Sequence, residues 1–169
     1  MHRLKYLVSG VGAIALSCTA LSTQPALSQA AYGSYVGVGP SLSFTENSAG
    51  EGRQVGGVIA VRYKLLEVPL SLRAQALIGA NTAVVPTVSY DIPLNWQTDI
   101  YLGAGVAFSG GDTASPVGNQ ISFALQPGID YVLPNSNTVI FGNAIIAFDA
   151  YRNGGGNAVS VQGGVGLRF

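Results

Sequence analysis

From Ala31 to the C-terminus the chain alternates apolar and polar positions with period two, interrupted by clusters of turn residues, and no segment carries a useful helical stripe. The alternation predicts eight strands, near residues 33–44, 54–64, 70–79, 83–92, 98–108, 120–133, 138–149 and 157–169. Most approach the roughly 9–11 residues that a tilted membrane-crossing strand needs, and an even number brings both ends to one side. The connections alternate in length. Those at 65–69, 93–97 and 134–137 are tight, whereas 45–53, 109–119 and 150–156 are longer and rich in Gly, Asn and Ser; only 80–82 is short on the long-loop side.

One face of the strands is apolar and free of charge. It runs through Val36, Val38, Leu42 and Phe44, then Ile59, Val61 and Tyr63, Leu70, Leu72 and Ile78, Ile100, Leu102, Val106 and Phe108, Ile121, Phe123, Leu125, Ile129 and Tyr131, and Val159, Val161, Val165, Leu167 and Phe169. The other face holds Tyr35, Gly37, Gly39, Ser41, Ser71, Gln75, Thr87, Ser89, Tyr101, Gly103, Gly105, Gln126, Gly128, Gln162, Gly164 and Gly166. Outward aromatics fall at strand ends: Phe44, Phe108, Phe123 and Phe148 towards the loops, Tyr32, Tyr63, Tyr90, Tyr131 and Phe169 towards the turns. They predict two girdles, one at each bilayer interface.

Composition separates the two barrels that such a pattern could build. A soluble, lipocalin-like ligand-binding cup would turn its polar face to water, and a water-facing surface carries roughly 25–35% charged residues. Only 9% of this chain is charged, mean hydropathy is +0.37 and the polar face is mostly Gly, Ala, Ser, Thr and Gln. That suits the narrow lumen of an eight-stranded barrel, so the expected fold is an all-β, antiparallel up-and-down transmembrane β-barrel. Eight basic residues balance eight acidic ones, which leaves no field for nucleic acid.

Residues 1–30 read as a secretory signal peptide: a basic start at Arg3 and Lys5, an apolar stretch from Leu7 to Leu16, and small residues up to an expected cleavage after Ala30. A lipoprotein site at Cys18 fits poorly, because Ala15 stands where leucine is usual. The barrel domain is then 31–169, with six basic and eight acidic residues and neither cysteine nor histidine. Disulfides, His- or Cys-based metal sites and Ser-His or Cys-His nucleophiles are excluded there. Neither an enzyme nor a cofactor is expected.

Six charges lie on the inward face, all near the turn ends of their strands: Arg62, Arg73, Asp91, Asp99, Asp130 and Arg168. Three arginines and three aspartates at one height predict mutual pairing, since an unpaired charge in a narrow lumen is costly. The other eight charges of the barrel domain fall in loops, turns or strand ends, and the loops 45–53 and 109–119 read as merely solvated. Inward Gly37, Gly39, Gly164 and Gly166 leave space that either remains a cavity or is filled by Tyr35, Tyr101 and glutamines. Pro40, Pro86 and Pro127 interrupt strands, and bulges are expected there. Strand 138–149 is apolar on both faces, with Asn143 the one polar hint of its inward parity.

The stretch Tyr101-Leu102-Gly103-Ala104-Gly105-Val106-Ala107-Phe108, the strand ends Pro86 to Asp91 and Pro127 to Tyr131, and the terminal Val165-Gly166-Leu167-Arg168-Phe169 resemble small eight-stranded bacterial outer-membrane barrels of the opacity and OmpX-like type. The resemblance spans the barrel domain. It implies the cell outer membrane as location, outer-membrane lipid and the barrel-assembly machinery as partners, a monomer, and Val165, Leu167 and Phe169 as an assembly signal. The expected role is structural or envelope-maintaining, with loop-mediated adhesion and a narrow solute pore as the alternatives, because such barrels host many functions.

Overall fold

The computed structural model describes residues 33–45, 50, 53–152 and 154–169. The expected signal peptide with its Ala30 cleavage site, Cys18, Tyr32 and most of the loop 45–53 lie outside them. Eight strands follow in order: β1 (Tyr35–Ser43), β2 (Val55–Lys64), β3 (Leu70–Ile78), β4 (Thr82–Pro93), β5 (Thr98–Ser109), β6 (Ser122–Val132), β7 (Thr138–Phe148) and β8 (Ala158–Arg168). Each pairs antiparallel with its sequence neighbours, and β1 pairs with β8 from Tyr35↔Arg168 to Ser43↔Ser160, so the sheet closes as an eight-stranded up-and-down barrel. Closure leaves no edge strand.

Alternation along each strand sorts the side chains as the sequence implies. Val38, Leu42, Ile59, Leu72, Leu102, Val165 and Leu167 are exposed on the outer wall, and Tyr35, Ser41, Arg62, Arg73, Gln75, Tyr101 and Gln126 are buried inside. Strand β7 takes the parity that Asn143 indicates: Val139, Phe141, Asn143, Ile145 and Ala147 point inward and Ile140 and Phe148 outward. Phe44, Phe108, Phe123 and Phe148 ring the outer wall at the loop end, with Phe123 and Phe148 stacked at 6.0 Å; Tyr63, Tyr90, Tyr131 and Phe169 ring the turn end.

The prolines do not produce bulges. Each leaves a two-pair gap in one ladder while the register continues unchanged: Pro40 between β1 and β8, where pairing passes from Val38↔Val165 to Ser41↔Gln162, Pro86 between β4 and β5, and Pro127 between β6 and β7. On its other side each proline keeps its pair, with Gly57, Ala74 and Leu102 respectively. Losing one donor needs no inserted residue where the backbones can draw together. Glycine permits that: a Cβ on Gly105 would lie 2.0 Å from the Pro86 carbonyl oxygen, and one on Gly39 1.9 Å from that of Gly163.

Candidate functional site

The functional question for a barrel this narrow is what fills its lumen. At the turn end, cross-strand pairing sets Arg62 of β2 beside Arg73 of β3, and Asp99 of β5 beside Asp130 of β6. Like charges directly opposite on a ladder repel. Here each like pair is compensated across the lumen. Arg62 reaches Asp91 at 2.9 Å, Asp99 at 2.9 Å and Asp130 at 3.0 Å, while Arg73 reaches Asp130 at 2.8 Å and Asp91 at 3.3 Å.

The remaining polar atoms of this cluster are held by neighbours on the inward face. Asp91 also accepts from the Ser71 and Ser89 hydroxyls, and Asp130 accepts from the Tyr35 hydroxyl at 2.9 Å. Arg62 Nε donates to Ser71 Oγ at 3.2 Å and Arg73 Nε to Ser89 Oγ at 2.8 Å. The Arg73 guanidinium lies over the Tyr101 ring, 3.3 Å from its centroid. Both arginines, Asp91 and Asp130 are almost fully buried, so their charges are stabilised by one another and by hydroxyls rather than by water. Forks of planar donors suit arginine to this task.

Five of the six residues expected from sequence meet here. The sixth, Arg168, is half-buried at the rim beside Tyr35, and its Nη2 donates to the Ser136 carbonyl of the turn between β6 and β7 at 2.7 Å. Lys64 supplies the third cation of the described cluster, with Nζ 3.0 Å from Asp99. Its position as the last residue of β2 made it read as a strand-end charge, yet it shares the inward parity of Arg62. That parity was the available signal.

Above this cluster lies a band of buried amides, Gln75, Gln126, Asn143 and Gln162, and then an apolar core. Val58, Leu77, Ala83, Val85, Ala107, Ile145 and Ala147 fill the loop end of the lumen. The glycine face of β1 and β8 is covered by Phe141, which stacks on Tyr35 at 5.8 Å; Cβ atoms on Gly37 and Gly164 would lie 2.7 and 2.8 Å from its ring. Space left by small residues is therefore taken by Phe141 of β7 together with Tyr35, one of the expected fillers, whose ring a Cβ on Gly166 would meet at 2.9 Å; Phe141 is not among the fillers that the sequence suggests.

The connection between β5 and β6 is not a solvated loop. Its second half, Ala114 to Asn119, is buried in the loop-side mouth, with Val117 fully enclosed. A short bridge joins Ser115 and Gly118, and the Ser109 hydroxyl donates to the Gly118 carbonyl at 2.7 Å. The other connections fasten it: Gln54 donates to the Ala114 carbonyl at 3.0 Å, Asn81 to that of Thr113 at 3.0 Å, and the Asn119 amide to that of Ala150 at 2.9 Å. Gly118 adopts φ +100°, and any side chain there would strike the Ala150 carbonyl, so this fastening requires glycine. Small polar residues looked solvated in sequence because their partners lie on three other connections.

The carboxylates of the cluster are occupied by cations, and among the described residues no group of His, Cys, Asp or Glu is arranged to hold a metal ion.

The geometry can be set beside known proteins. No protein-family model matches the chain. No curated protein matches it either. Among solved structures the chain is similar to Neisserial surface protein A (NspA), at 14% identity and a TM-score of 0.57, over 80% of this chain and 97% of that one. It is also similar to a de novo designed transmembrane β-barrel, at 11% identity and a TM-score of 0.53, over 81% and 96%. The fold is that of a small transmembrane β-barrel. At such identities the likeness carries the fold and no residue roles.

Proposed function

We propose that the protein is a monomeric barrel of the bacterial outer membrane, of the opacity and OmpX-like kind, exported by a cleaved leader and serving a structural, envelope-maintaining role with a closed lumen and no catalysis. The observation that carries this reading is the double closure: an ion cluster at the turn end and a folded-in connection at the loop end, with buried amides, Phe141 and an apolar core between. A pore would need an open path, and an adhesin would need free loops, whereas the β5–β6 connection is folded into the mouth. A soluble cup is disfavoured because the outer wall exposes a continuous band of valine, leucine, isoleucine and phenylalanine, which in water would be an extreme apolar patch. Lipid is the natural solvent for that wall.

Fractionation of cells and gel mobility with and without heating test the proposal. Recovery in the outer-membrane fraction, with faster migration of the unheated form, is the expected outcome. A soluble periplasmic protein with a single mobility would overturn it.

A further inference from the structure

The turn end carries a feature that lumen closure does not use. Trp96, the one tryptophan of the sequence, sits in the turn between β4 and β5 and is 96% exposed. It borders two adjoining hollows. The larger, about 550 Å³, is walled by Trp96 and Gln97 on one side and by Asn135, Ser136, Asn137 and Arg168 on the other. The smaller, about 230 Å³, runs beneath Trp96 towards Lys64 and Asp99.

The walls are fixed by backbone. Leu94 donates to the Thr98 carbonyl at 2.8 Å, Gln97 to the Asn95 side chain at 2.9 Å, Val132 to the Gln97 carbonyl at 2.7 Å and Leu133 to the Thr138 carbonyl at 2.9 Å. The side-chain amides of Gln97, Asn135 and Asn137 make no hydrogen bond to the described residues. An open hollow between two hydrogen-bonded turns therefore presents an exposed indole and a set of neutral side-chain amides, with no acidic residue along its larger part. Its volume lies in the range of about 300–1,000 Å³ usual for small-ligand sites.

We propose that this cleft binds a neutral glycan bearing acetamido groups, the sugar ring stacked on Trp96 and its hydroxyl and acetamido groups paired with Gln97, Asn135 and Asn137. Amides both donate and accept, which matches sugars. An indole offers a flat apolar face with a polar edge. An acidic ligand would find one arginine along the larger hollow, and in the smaller one Arg62 and Lys64 are already paired with Asp99 and Asp130; a strand-adding peptide would find no sheet edge. The proposal rests on the outer-membrane reading, which turns this end towards the periplasm and its cell-wall glycan.

Because Trp96 is the sole tryptophan, its fluorescence reports the cleft alone. Protein extracted in detergent is titrated with the tetrasaccharide of N-acetylglucosamine and, separately, with maltotetraose. A saturable emission change is expected with the first, at least tenfold weaker with the second and at least tenfold weaker in Gln97→Ala/Asn137→Ala. No saturable change, an equal response to maltotetraose, or an unaltered response in the double variant would overturn the proposal. So would quenching of Trp96 by brominated acyl chains after reconstitution, which would place the ring in the bilayer as an anchor. Heat-dependent gel mobility of each sample reports the barrel independently, so loss of the cleft and loss of the membrane reading give different results.

Discussion

Arg73 shows how one residue is tied to the whole cross-section. Its Nη2 lies 2.8 Å from Asp130 and 3.3 Å from Asp91, its Nε meets Ser89, and its guanidinium covers Tyr101. Truncation to alanine strands buried carboxylates, and Arg73→Ala is expected to cost about 3–5 kcal/mol in denaturant unfolding from detergent. Arg73→Ala with Asp130→Ala should cost less than the two single changes summed, by on the order of 1–3 kcal/mol. Additive losses would show a solvated cluster. Phe141 acts by volume rather than charge: it packs over Gly37 and Gly164 and stacks on Tyr35, so Phe141→Ala should leave a cavity and cost about 3–5 kcal/mol in the same unfolding measurement. At this scale the inward charges were legible because they share strand parity and height. Lys64 was hidden at a strand end, and Phe141 by a strand apolar on both faces.

Strand boundaries were legible to within a few residues because turn residues and period-two alternation mark them independently. What sequence could not show is how an interrupted strand is accommodated. A proline reads as a bulge or an edge, and the sequence does not reveal the close backbone approaches at Gly39 and Gly105 that accompany the in-register gaps at Pro40 and Pro86. The β5–β6 connection was misread for a related reason: its burial depends on Gln54, Asn81 and Ala150. Asn119 Oδ1 accepts a hydrogen bond from the Arg152 backbone amide at 2.9 Å, so Asn119→Ala, which keeps the backbone bond to Ala150 but removes this one, should loosen this closure. Faster amide hydrogen exchange across 109–119, with the strands unchanged, is the expected readout; unchanged exchange would mean that the other fastenings suffice. In and just after the last strand, Val165, Leu167 and Phe169 all face outward and are exposed, and the proposed assembly signal can be tested at Phe169. Deleting Phe169 should reduce insertion in cells while the barrel refolded in detergent keeps nearly its normal thermal resistance. Equal losses in both settings would make it an interface anchor only.

Across the whole molecule, the lumen is layered: ion pairs at the turn end, neutral amides in the middle, an apolar core and a folded connection at the loop end. Eight strands enclose room for little more than side chains, and the buried side chains that occupy this lumen are the basis of the proposed closure. Planar-bilayer conductance tests that closure most directly. The wild-type protein, its insertion verified by heat-dependent mobility, should give no steady channels. Steady, well-defined channels from the wild-type protein would contradict the closed lumen.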